Sequence, residues 1–397
     1  MKIAGIIAEY NPFHNGHKYQ IEKTREMGAS HIVCILGGNF TQRGDFSCIS
    51  KTAKAKMALL NGADLVLELP HVYSVGSAPD FALGGVKILD NLGCVDMLSF
   101  GSEEGDIKAL INLANILESL EGELNLGMGN GKGFASARQT LLYEKGYKNE
   151  GDIISHPNNI LALEYITALK KIGSKINPQT VTRMGSNYND ESVTNAKMAS
   201  ATAIRNVMMN NPLDAEKYMP DMAFGILKEE IEKGRTPLNS DVLNVAILSR
   251  LRTLTPDQIE NVMGVSEGLH NSIYKEIRRC KNVEEIVANL TTKRYTSSRI
   301  RRILISAATG VTKEILEGKE TPYIRVLGRN EKGDEILKLA KQTAKIPIVQ
   351  RGADIPAIGQ KAAEFFSVEC NATDLYSMGF TEMGNCDLEY TENIYSK

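Results

Sequence analysis

Two histidines near the start of the chain, His14 and His17, lie three residues apart in the segment Glu9-Tyr10-Asn11-Pro12-Phe13-His14-Asn15-Gly16-His17. An apolar run precedes this segment and a helical pattern follows it. The histidines are therefore predicted to share one side of a helix N-terminus. Free N–H groups at such a terminus bind phosphate, and Gly16 lets the backbone approach a ligand closely. An ordinary capped helix with two surface histidines is the alternative.

The chemistry that this segment favours is phosphoryl or nucleotidyl transfer. Such reactions need positioning and electrostatic stabilisation but no protein nucleophile. Two imidazoles that face a polyphosphate can donate hydrogen bonds to the charge that develops in the transition state. We therefore expect His17 to stabilise the α-phosphate transition state and His14 to help hold the triphosphate.

A second polar segment, Ala199-Ser200-Ala201-Thr202-Ala203-Ile204-Arg205, has the pattern of a phosphate-binding helix start. The hydroxyls of Ser200 and Thr202 precede Arg205 by about one helical turn, so the three side chains can bind β- and γ-phosphates together. Alone, a serine at this position is also an ordinary helix N-cap.

Weaker candidates lie near the ends of other predicted strands. Gly101 ends a strand with Ser102 and can pack flat against an adenine or ribose, although a glycine can also simply end a strand. In Asn158-Asn159, one asparagine can cap the following helix while the other reaches a nucleotide. Arg183 follows a predicted strand, and a solvated arginine is its alternative. The acids of Glu103-Glu104-Gly105-Asp106 are compatible with Mg²⁺ but equally expected at a helix N-terminus, so no metal ligands are assigned.

Short apolar runs that alternate with helical patterns must position these residues. The runs predict strands at residues 2–8, 31–36, 65–69, 95–100 and 179–183. The helical patterns cover residues 16–27, 51–61, 78–92, 106–120, 136–145, 159–171 and 201–209. Continuous apolar strands with intervening helices predict an α/β fold with a Rossmann-like, doubly wound parallel sheet. Residues 121–133, rich in Gly and Asn, are predicted to form a mobile loop.

The second half of the sequence reads differently, because strand signals fade after Asn210-Asn211-Pro212. Helices are predicted at residues 241–251, 255–263, 267–280, 283–290, 297–308 and 331–345, and weak strands at 323–327 and 346–349. We therefore divide the chain into a catalytic domain at 1–210, a helical region at 211–322 and a small α/β region at 323–397.

Composition excludes several classes of protein. The chain has 397 residues, of which 42% are hydrophobic and 24% charged, as in a folded soluble protein. Its formal charge of −2 excludes a uniformly basic coat protein for nucleic acid. Six scattered cysteines show no zinc-finger spacing, and the sequence contains no apolar run long enough for a membrane span and no signal-peptide pattern. We expect a cytoplasmic protein with no membrane partner.

One segment is strongly basic despite the acidic total. Residues 271–302 contain nine Lys or Arg and only three Glu. Phosphates supply most of the affinity of RNA for proteins, and an aromatic side chain can stack on an unpaired base. A solvated helical face is the alternative. We therefore interpret the helical region at 211–322 as RNA-binding. Its candidate RNA-binding residues are Lys275, Arg278, Arg279, Lys293, Arg294, Tyr295, Arg299, Arg301 and Arg302.

The first motif resembles that of the HIGH-motif nucleotidyltransferase superfamily, which includes adenylyltransferases and class I aminoacyl-tRNA synthetases. Asn11 stands where most small adenylyltransferases have aspartate, and Ile7 and Ala8 replace two glycines. This variant resembles one family in particular, the bacterial tRNA(Met) cytidine acetate ligases. The resemblance extends over residues 37–44, 99–103, 157–161 and 199–205.

The resemblance implies an ATP-dependent ligase of nucleotidyltransferase fold that forms a carbon–nitrogen bond. ATP and acetate would form acetyl-adenylate, and the acetyl group would pass to N4 of the wobble cytidine of elongator tRNA(Met), giving N4-acetylcytidine. ATP would be a substrate, and Mg²⁺ would bind together with it. The ATP-binding residues would be Ile7, Ala8, Glu9, Tyr10, Asn11, Pro12, Phe13, His14, Asn15, Gly16, His17, Gln20, Gly101, Ser102, Asn158, Asn159, Arg183, Ser200, Thr202 and Arg205.

Two other functions remain open on the residues alone. One is a conventional adenylyltransferase that acts on a cofactor precursor, but such an enzyme needs only the first half of the chain. The other is a non-catalytic RNA-binding protein with a structural nucleotide, which would not require both histidines together with Ser200, Thr202 and Arg205.

Overall fold

Residues 1–127, 134–183, 198–316 and 320–397 are described in the computed structural model of the chain. The strands are β1 (Ile3–Ala8), β2 (His31–Gly37), β3 (Leu65–Leu69), β4 (Met97–Ser102), β5 (Asn177–Thr182), β6 (Ile324–Arg329), β7 (Ile348–Val349) and β8 (Tyr395–Ser396). The helices that accompany β1–β5 are α1 (Asn15–Glu26), α2 (Lys51–Leu60), α3 (His71–Ser74), α4 (Ala78–Leu92), α5 (Ile107–Ser119), α6 (Glu121–Gly127), α7 (Phe134–Glu144), α8 (Lys148–Ile153) and α9 (Pro157–Lys171).

Helices dominate the rest of the described chain. They are α10 (Ala201–Asn210), α11 (Asp221–Glu232), α12 (Ser240–Arg252), α13 (Pro256–Glu260), α14 (Leu269–Arg279), α15 (Val283–Leu290), α16 (Ser297–Thr309), α17 (Glu331–Thr343), α18 (Gln360–Ser377) and α19 (Leu388–Thr391). Short 3₁₀ helices cover Pro212–Tyr218, Glu314–Leu316 and Gly352–Ile358. In the part of the chain described here, no helix combines the length and apolar character that crossing a membrane requires.

The sheet has the strand order β5-β4-β1-β2-β3-β6-β7, and β8 pairs with β6. The strands β1 to β5 are mutually parallel, which confirms the predicted Rossmann-like fold. Their residues are almost all buried, except in the edge strand β5, because helices cover both faces. The order reverses between β1 and β4, so the carboxyl ends of these two strands flank the crevice where such sheets bind ligands.

The prediction for residues 121–133 was wrong in its first part. Glu121–Gly127 forms the helix α6, and residues 128–133 lie outside the described part of the chain. The glycines and asparagine suggested a loop, but Glu121 and Glu123 in the first turn of α6 stabilise a helix N-terminus. Leu124 is buried, so tertiary packing outweighs the low helix propensity of Gly122.

The C-terminal segment completes the sheet rather than forming a sheet of its own. β6 runs antiparallel to β3, with Leu65 opposite Arg329. Through β6, the segment 323–397 contributes a strand to the sheet of the segment 1–210. The division into 1–210, 211–322 and 323–397 stays a prediction.

Buried ion pairs join that segment to the sheet. Arg325 in β6 pairs with Glu68 in β3 at 3.2 Å and with Glu389, and Lys51 pairs with the same two carboxylates. Burial by itself would raise the pKa of Glu389, but Lys51 and Arg325 outweigh that effect and lower the pKa to about 2. Each charge is therefore compensated, as a buried ionic cluster requires.

Candidate active site

The main cleft of the described structure opens above the carboxyl ends of β1 and β4. It is bounded by the N-termini of α1, α9 and α10 and by the segment that follows β2. Of the predicted nucleotide-binding residues, those that line the cleft are Ile7, Ala8, Glu9, Tyr10, Asn11, His14, His17, Gln20, Gly101, Asn158, Arg183, Ser200, Thr202 and Arg205. The fold thus assembles residues that are almost 200 positions apart in the sequence.

His14 and His17 stack on one another, with ring centroids 3.7 Å apart and planes inclined by 29°. His14 is the N-cap of α1, and its Nδ1 accepts a hydrogen bond from the N–H of Gly16 at 3.0 Å. The Nδ1 of His17 accepts the N–H of His14 at 3.2 Å, which closes a capping box. Because each Nδ1 is an acceptor, each neutral ring carries its proton on Nε2 and can donate there.

Both rings are neutral at physiological pH. Burial, assisted by the positive charges of Arg183 and Arg205, lowers the pKa of His14 to about 3. Burial also holds the pKa of His17 well below its ordinary value, with His14 and Arg183 as further causes. The pair can therefore stabilise negative charge as neutral hydrogen-bond donors, while the arginines supply the positive charge.

The sequence around the pair explains its rigidity. A Cβ on Gly16 would lie 2.8 Å from Cε1 of His14, so only glycine leaves room for the ring. Tyr10 takes a positive φ of 48°, and its ring lies 4.6 Å from that of His17, between centroids. The Asn11–Pro12 peptide is cis. The close contacts of Gly16 with His14 and of the Tyr10 ring with His17 hold the two imidazoles in place.

The Ser-Thr-Arg segment forms the second wall of the cleft, and its binding of phosphates stays a prediction. Ser200 is the N-cap of α10 and accepts the N–H of Ala203 at 3.1 Å. One turn later, Arg205 donates to the carbonyl of Asn11 at 2.8 Å and to the hydroxyl of Thr202 at 3.2 Å. These bonds aim the guanidinium across the cleft toward the first motif, where a bound phosphate could be clamped.

A second, smaller cavity adjoins the histidines at the ends of β4 and β5. His14, His17, Gln20, Gly101, Arg183 and Ser200 line both cavities, and Val181, Thr182 and Met198 line only the second. A Cβ on Gly101 would lie 3.3 Å from Cγ of Arg183, so the glycine leaves space for the arginine side chain. Nη1 of Arg183 donates to Oδ1 of Asn158 at 3.3 Å. We call this second cavity the β4–β5 arm of the cleft.

Five of the predicted nucleotide-binding residues line neither cavity. Pro12 and Phe13 are buried, and Asn15 donates to the carbonyl of Lys217 at 3.3 Å. Ser102 is buried and hydrogen-bonded to Thr180 at 2.6 Å. Gly16, by contrast, lines the second cavity.

The expectation that one asparagine of the pair caps the following helix was wrong, because the N-cap of α9 is His156 and both asparagines lie in its first turn. Asn158 lines the cleft, whereas Asn159 is buried beside the turn after β4. The carbonyl of the Asn159 side chain accepts the N–H groups of Glu103 at 2.9 Å and Glu104 at 3.1 Å, and its amide donates to Ile153 at 2.9 Å.

Glu103 in turn accepts hydrogen bonds from both asparagines, and Asp106 caps α5. Of these acids, Asp106 thus takes the helix N-terminal position that was the alternative to binding Mg²⁺. The described residues contain no group of three or more His, Cys, Asp or Glu placed to hold a metal ion.

Some residues that line the cleft were not among those predicted from the sequence. The missed lining residues are Thr41, Gln42, Arg43, Asp45, Phe81, Phe100, Leu161, Tyr165 and Ala201. The apolar ones have the pattern of ordinary core residues. Thr41, Gln42 and Arg43 stand in a segment that carries the family resemblance, which was the available signal.

The basic segment spreads over α14, α16 and the turn between α15 and α16. Lys275, Arg278, Arg279, Lys293 and Arg294 are exposed, whereas Arg299, Arg301 and Arg302 are half-buried. Arg301 pairs with Glu284, and burial lowers the pKa of Arg302 to about 10. The ring of Tyr295 lies 4.9 Å from the Arg299 guanidinium and packs against the core. The exposed members are thus the better placed for RNA.

Comparison with known proteins identifies the family of the chain. Residues 1–389 match the family model described as HIGH Nucleotidyl Transferase. The chain is 39% identical to the tRNA(Met) cytidine acetate ligase of Acetivibrio thermocellus, with 99% of each protein covered. It is also 39% identical to that of Thermoanaerobacter sp. strain X514, with 98% of each covered.

Solved structures give the same result. The crystal structure of apo Thermotoga maritima TmcAL superposes with a TM-score of 0.93 at 34% identity, covering 100% of this chain and 99% of that one. The same Thermotoga protein bound with alpha-thio ATP gives a TM-score of 0.91 with the same coverage. With the paired histidines of the first motif and the Ser-Thr-Arg wall in one cleft, these matches over nearly the whole length establish that the chain belongs to the tRNA(Met) cytidine acetate ligase family of HIGH nucleotidyltransferases.

Proposed function

We propose that the chain is an ATP-dependent ligase that acetylates a cytidine of tRNA(Met) in two steps. In the first step, an acetate oxygen attacks the α-phosphorus of ATP, which forms acetyl-adenylate and releases pyrophosphate. In the second, N4 of the wobble cytidine of elongator tRNA(Met) attacks the acyl carbon, which gives N4-acetylcytidine and AMP. The names of the relatives and the nucleotide bound to the Thermotoga protein support the overall activity.

The observation that carries the first step is the pair of neutral imidazoles between two arginines. His14 and His17 each keep a donor Nε2–H, and Arg183 and Arg205 are close enough to lower the pKa of His14. Such a site lowers the energy of a pentacoordinate α-phosphate without supplying a nucleophile. Acetate itself is the nucleophile, so none is required from the protein.

The two cavities that share the histidines support a position for the nucleotide. The arm at the ends of β4 and β5, with Gly101 and Arg183, would take the adenosine. Ser200, Thr202 and Arg205 would bind the β- and γ-phosphates, with Mg²⁺ bound chiefly through the phosphates, as is usual for that ion. The tRNA would lie across α14 and the turn before α16, where Lys275, Arg279 and Lys293 are exposed.

Isotope exchange and product analysis test this function together. Purified protein is incubated with ATP and labelled pyrophosphate, with and without acetate, and exchange into ATP is measured. Labelled acetate is then supplied with total tRNA, and digested RNA is analysed for N4-acetylcytidine. We expect exchange to depend on acetate and label to appear in that nucleoside.

The two alternatives give different results in the same experiment. A conventional adenylyltransferase would show no acetate-dependent exchange, although it could exchange pyrophosphate with its own precursor. A non-catalytic RNA-binding protein would show neither exchange nor labelled RNA. Either outcome would rule out the proposed function.

A further inference from the structure

Glu9 is a carboxylate within a site that is otherwise suited to anions. It stands just beyond the end of β1, lines the main cleft and is half-buried. Its Oε1 accepts the backbone N–H of Gln42 at 2.6 Å. The other carboxylate in the cleft wall, Asp45, lies 3.6 Å from Nη1 of Arg301. Among the described residues, Glu9 has no such ion pair within 4 Å.

A carboxylate beside the histidines would repel a phosphate, so Glu9 is unsuited to bind the triphosphate directly. It is suited to accept a hydrogen bond from an amine. The exocyclic N4 amine of cytosine donates to Glu or Asp in this manner, whereas uracil presents an acceptor oxygen at the same position. The chemistry of Glu9 therefore matches the base that the proposed second step acetylates.

Aromatic and apolar side chains line the same cleft as Glu9, and side chains of this kind can stack on an unpaired base. They are Phe81 from α4, Phe100 from β4 and Leu161 and Tyr165 from α9. Phe100 and Tyr165 contact each other with centroids 5.7 Å apart, and the Tyr165 hydroxyl is 3.5 Å from the carbonyl of Ile7. None of these residues lines the cavity assigned to adenosine. The histidines line both cavities, whereas Glu9 lines only the main cleft, so a reacting phosphate held by the histidines could be reached from either cavity.

We propose that Glu9 binds the N4 amine of the target cytosine and takes up the proton that this amine loses. This proposal rests on the proposed function. N4 forms a bond to the acyl carbon, and the bond from that carbon to the phosphate oxygen breaks. The electron pair leaves with AMP, and the proton passes from N4 to the free carboxylate oxygen of Glu9 and then to solvent.

The peptide that holds Glu9 is itself tied to the candidate RNA-binding helix. Gln42, whose N–H bonds Glu9, accepts a hydrogen bond on its carbonyl from Nη1 of Arg302 in α16 at 3.2 Å. Arg302 therefore acts as a positioning residue for Glu9, and the basic region lies next to the base-binding side of the cleft.

The variant Glu9→Gln separates the two steps. Acetate-dependent ATP–pyrophosphate exchange, measured without tRNA, should fall much less than the transfer step does, because Glu9 lines the cleft but is assigned to the base rather than to the phosphates. Transfer from preformed acetyl-adenylate to tRNA(Met) in a single turnover should fall on the order of 10²–10⁴-fold, the usual contribution of a general base. Retained transfer would overturn the proposal. Loss of both steps in a folded variant would overturn it too, because Glu9 would then serve the nucleotide, for example through the adenine amine.

A binding measurement gives a second readout that does not depend on catalysis. Wild type should bind a tRNA(Met) transcript more tightly than the same transcript with uridine at the target position. Glu9→Gln should lose that preference, because a glutamine amide can donate to the uracil oxygen as well as accept from cytosine. An unchanged preference would overturn the assignment. If wild type itself shows no acetate-dependent exchange, the proposed function fails first, and that result is distinct from a failure of Glu9 alone.

Discussion

Gly44 rests directly on the backbone of Arg302. A Cβ on Gly44 would lie 2.6 Å from the amide nitrogen of Arg302, and Gly44 has a φ of +79°. The glycine ends a tight turn in which its N–H donates to the carbonyl of Thr41 at 2.9 Å. This contact places the cleft segment with Gln42 and Arg43 against α16, so the geometry of the cleft depends on a helix more than 250 residues away in the sequence.

Gly44→Ala should therefore destabilise the protein and displace this cleft wall. The left-handed backbone costs an alanine about 1–2 kcal/mol, and the collision with α16 should add about 1–3 kcal/mol. Urea unfolding measures the difference. The matched control is Gly268→Ala, since Gly268 has a φ of +75° and no atom within 4 Å of its added Cβ. Equal losses of unfolding free energy in the two variants would show that the contact with α16 contributes nothing.

His17→Ala should lower acetate-dependent ATP–pyrophosphate exchange on the order of 10²–10³-fold, because one neutral donor at the developing charge is removed. The same change at His14 also removes the N-cap of α1, so its thermal unfolding must be compared in parallel. His270→Ala, in the helical region, serves as the control histidine. Exchange near wild type in folded His17→Ala would refute the assignment.

Arg205→Ala should raise the apparent KM for ATP or lower kcat by about 10- to 100-fold, since a hydrogen bond to a charged group contributes about 1.5–3 kcal/mol. Arg183→Ala should behave similarly. Arg205→Lys should recover only part of the loss, because lysine cannot reproduce the forked contacts with Asn11 and Thr202. Arg351→Ala, an exposed arginine far from the cleft, is the control. Unchanged ATP kinetics in both alanine variants would place the phosphate clamp elsewhere.

Acid should destabilise the fold through His71, which is buried near Lys51. Burial, with the Lys51 charge, lowers its pKa to about 3, and its Nε2 lies 3.1 Å from the Thr309 hydroxyl. The unfolded chain protonates this histidine below about pH 6.5 while the native state does not, so unfolding free energy falls as pH drops from about 6.5 toward 3. The slope is up to about 1.4 kcal/mol per pH unit. His71→Gln should reduce that slope in urea titrations between pH 4.5 and 7.5. An identical slope would mean that His71 is protonated in the native state.

The strands and the first motif were predictable because their signals are local. Continuous apolar runs identify β1 to β4 to within a few residues, and the His14–His17 spacing fixes a shared helix face. The joining of β6 to β3 was not predictable, because it depends on pairing across more than 250 residues and on ion pairs such as Arg325 with Glu68.

Within the site, side chains that serve the fold and those that serve a ligand look alike in sequence. Asn158 and Asn159 are identical neighbours, and only burial and hydrogen bonding separate them. Tyr165 and Phe81 fit a core pattern and nevertheless line the cleft. Gly16 has a further role that its spacing did not indicate, since its missing side chain leaves room for the ring of His14, while its close approach to a ligand stays a prediction.

The exposed cations of the basic region should bind tRNA, and charge reversal tests this independently of adenylation. Lys275 and Lys293 are exposed on α14 and on the turn before α16, whereas Arg301 is engaged with Glu284. We expect Lys275→Glu/Lys293→Glu to weaken tRNA binding. The slope of the logarithm of the binding constant against the logarithm of the salt concentration should flatten by roughly 0.7–0.9 for each phosphate that the protein no longer neutralises.

The matched control, Lys338→Glu/Lys341→Glu, makes the same change of charge on exposed positions of α17 and should bind tRNA as wild type does. Acetate-dependent pyrophosphate exchange should stay normal in both variants, because the cleft is untouched. Equal weakening in the two variants would show that only the total charge matters, and normal binding in the first would place the RNA on another surface.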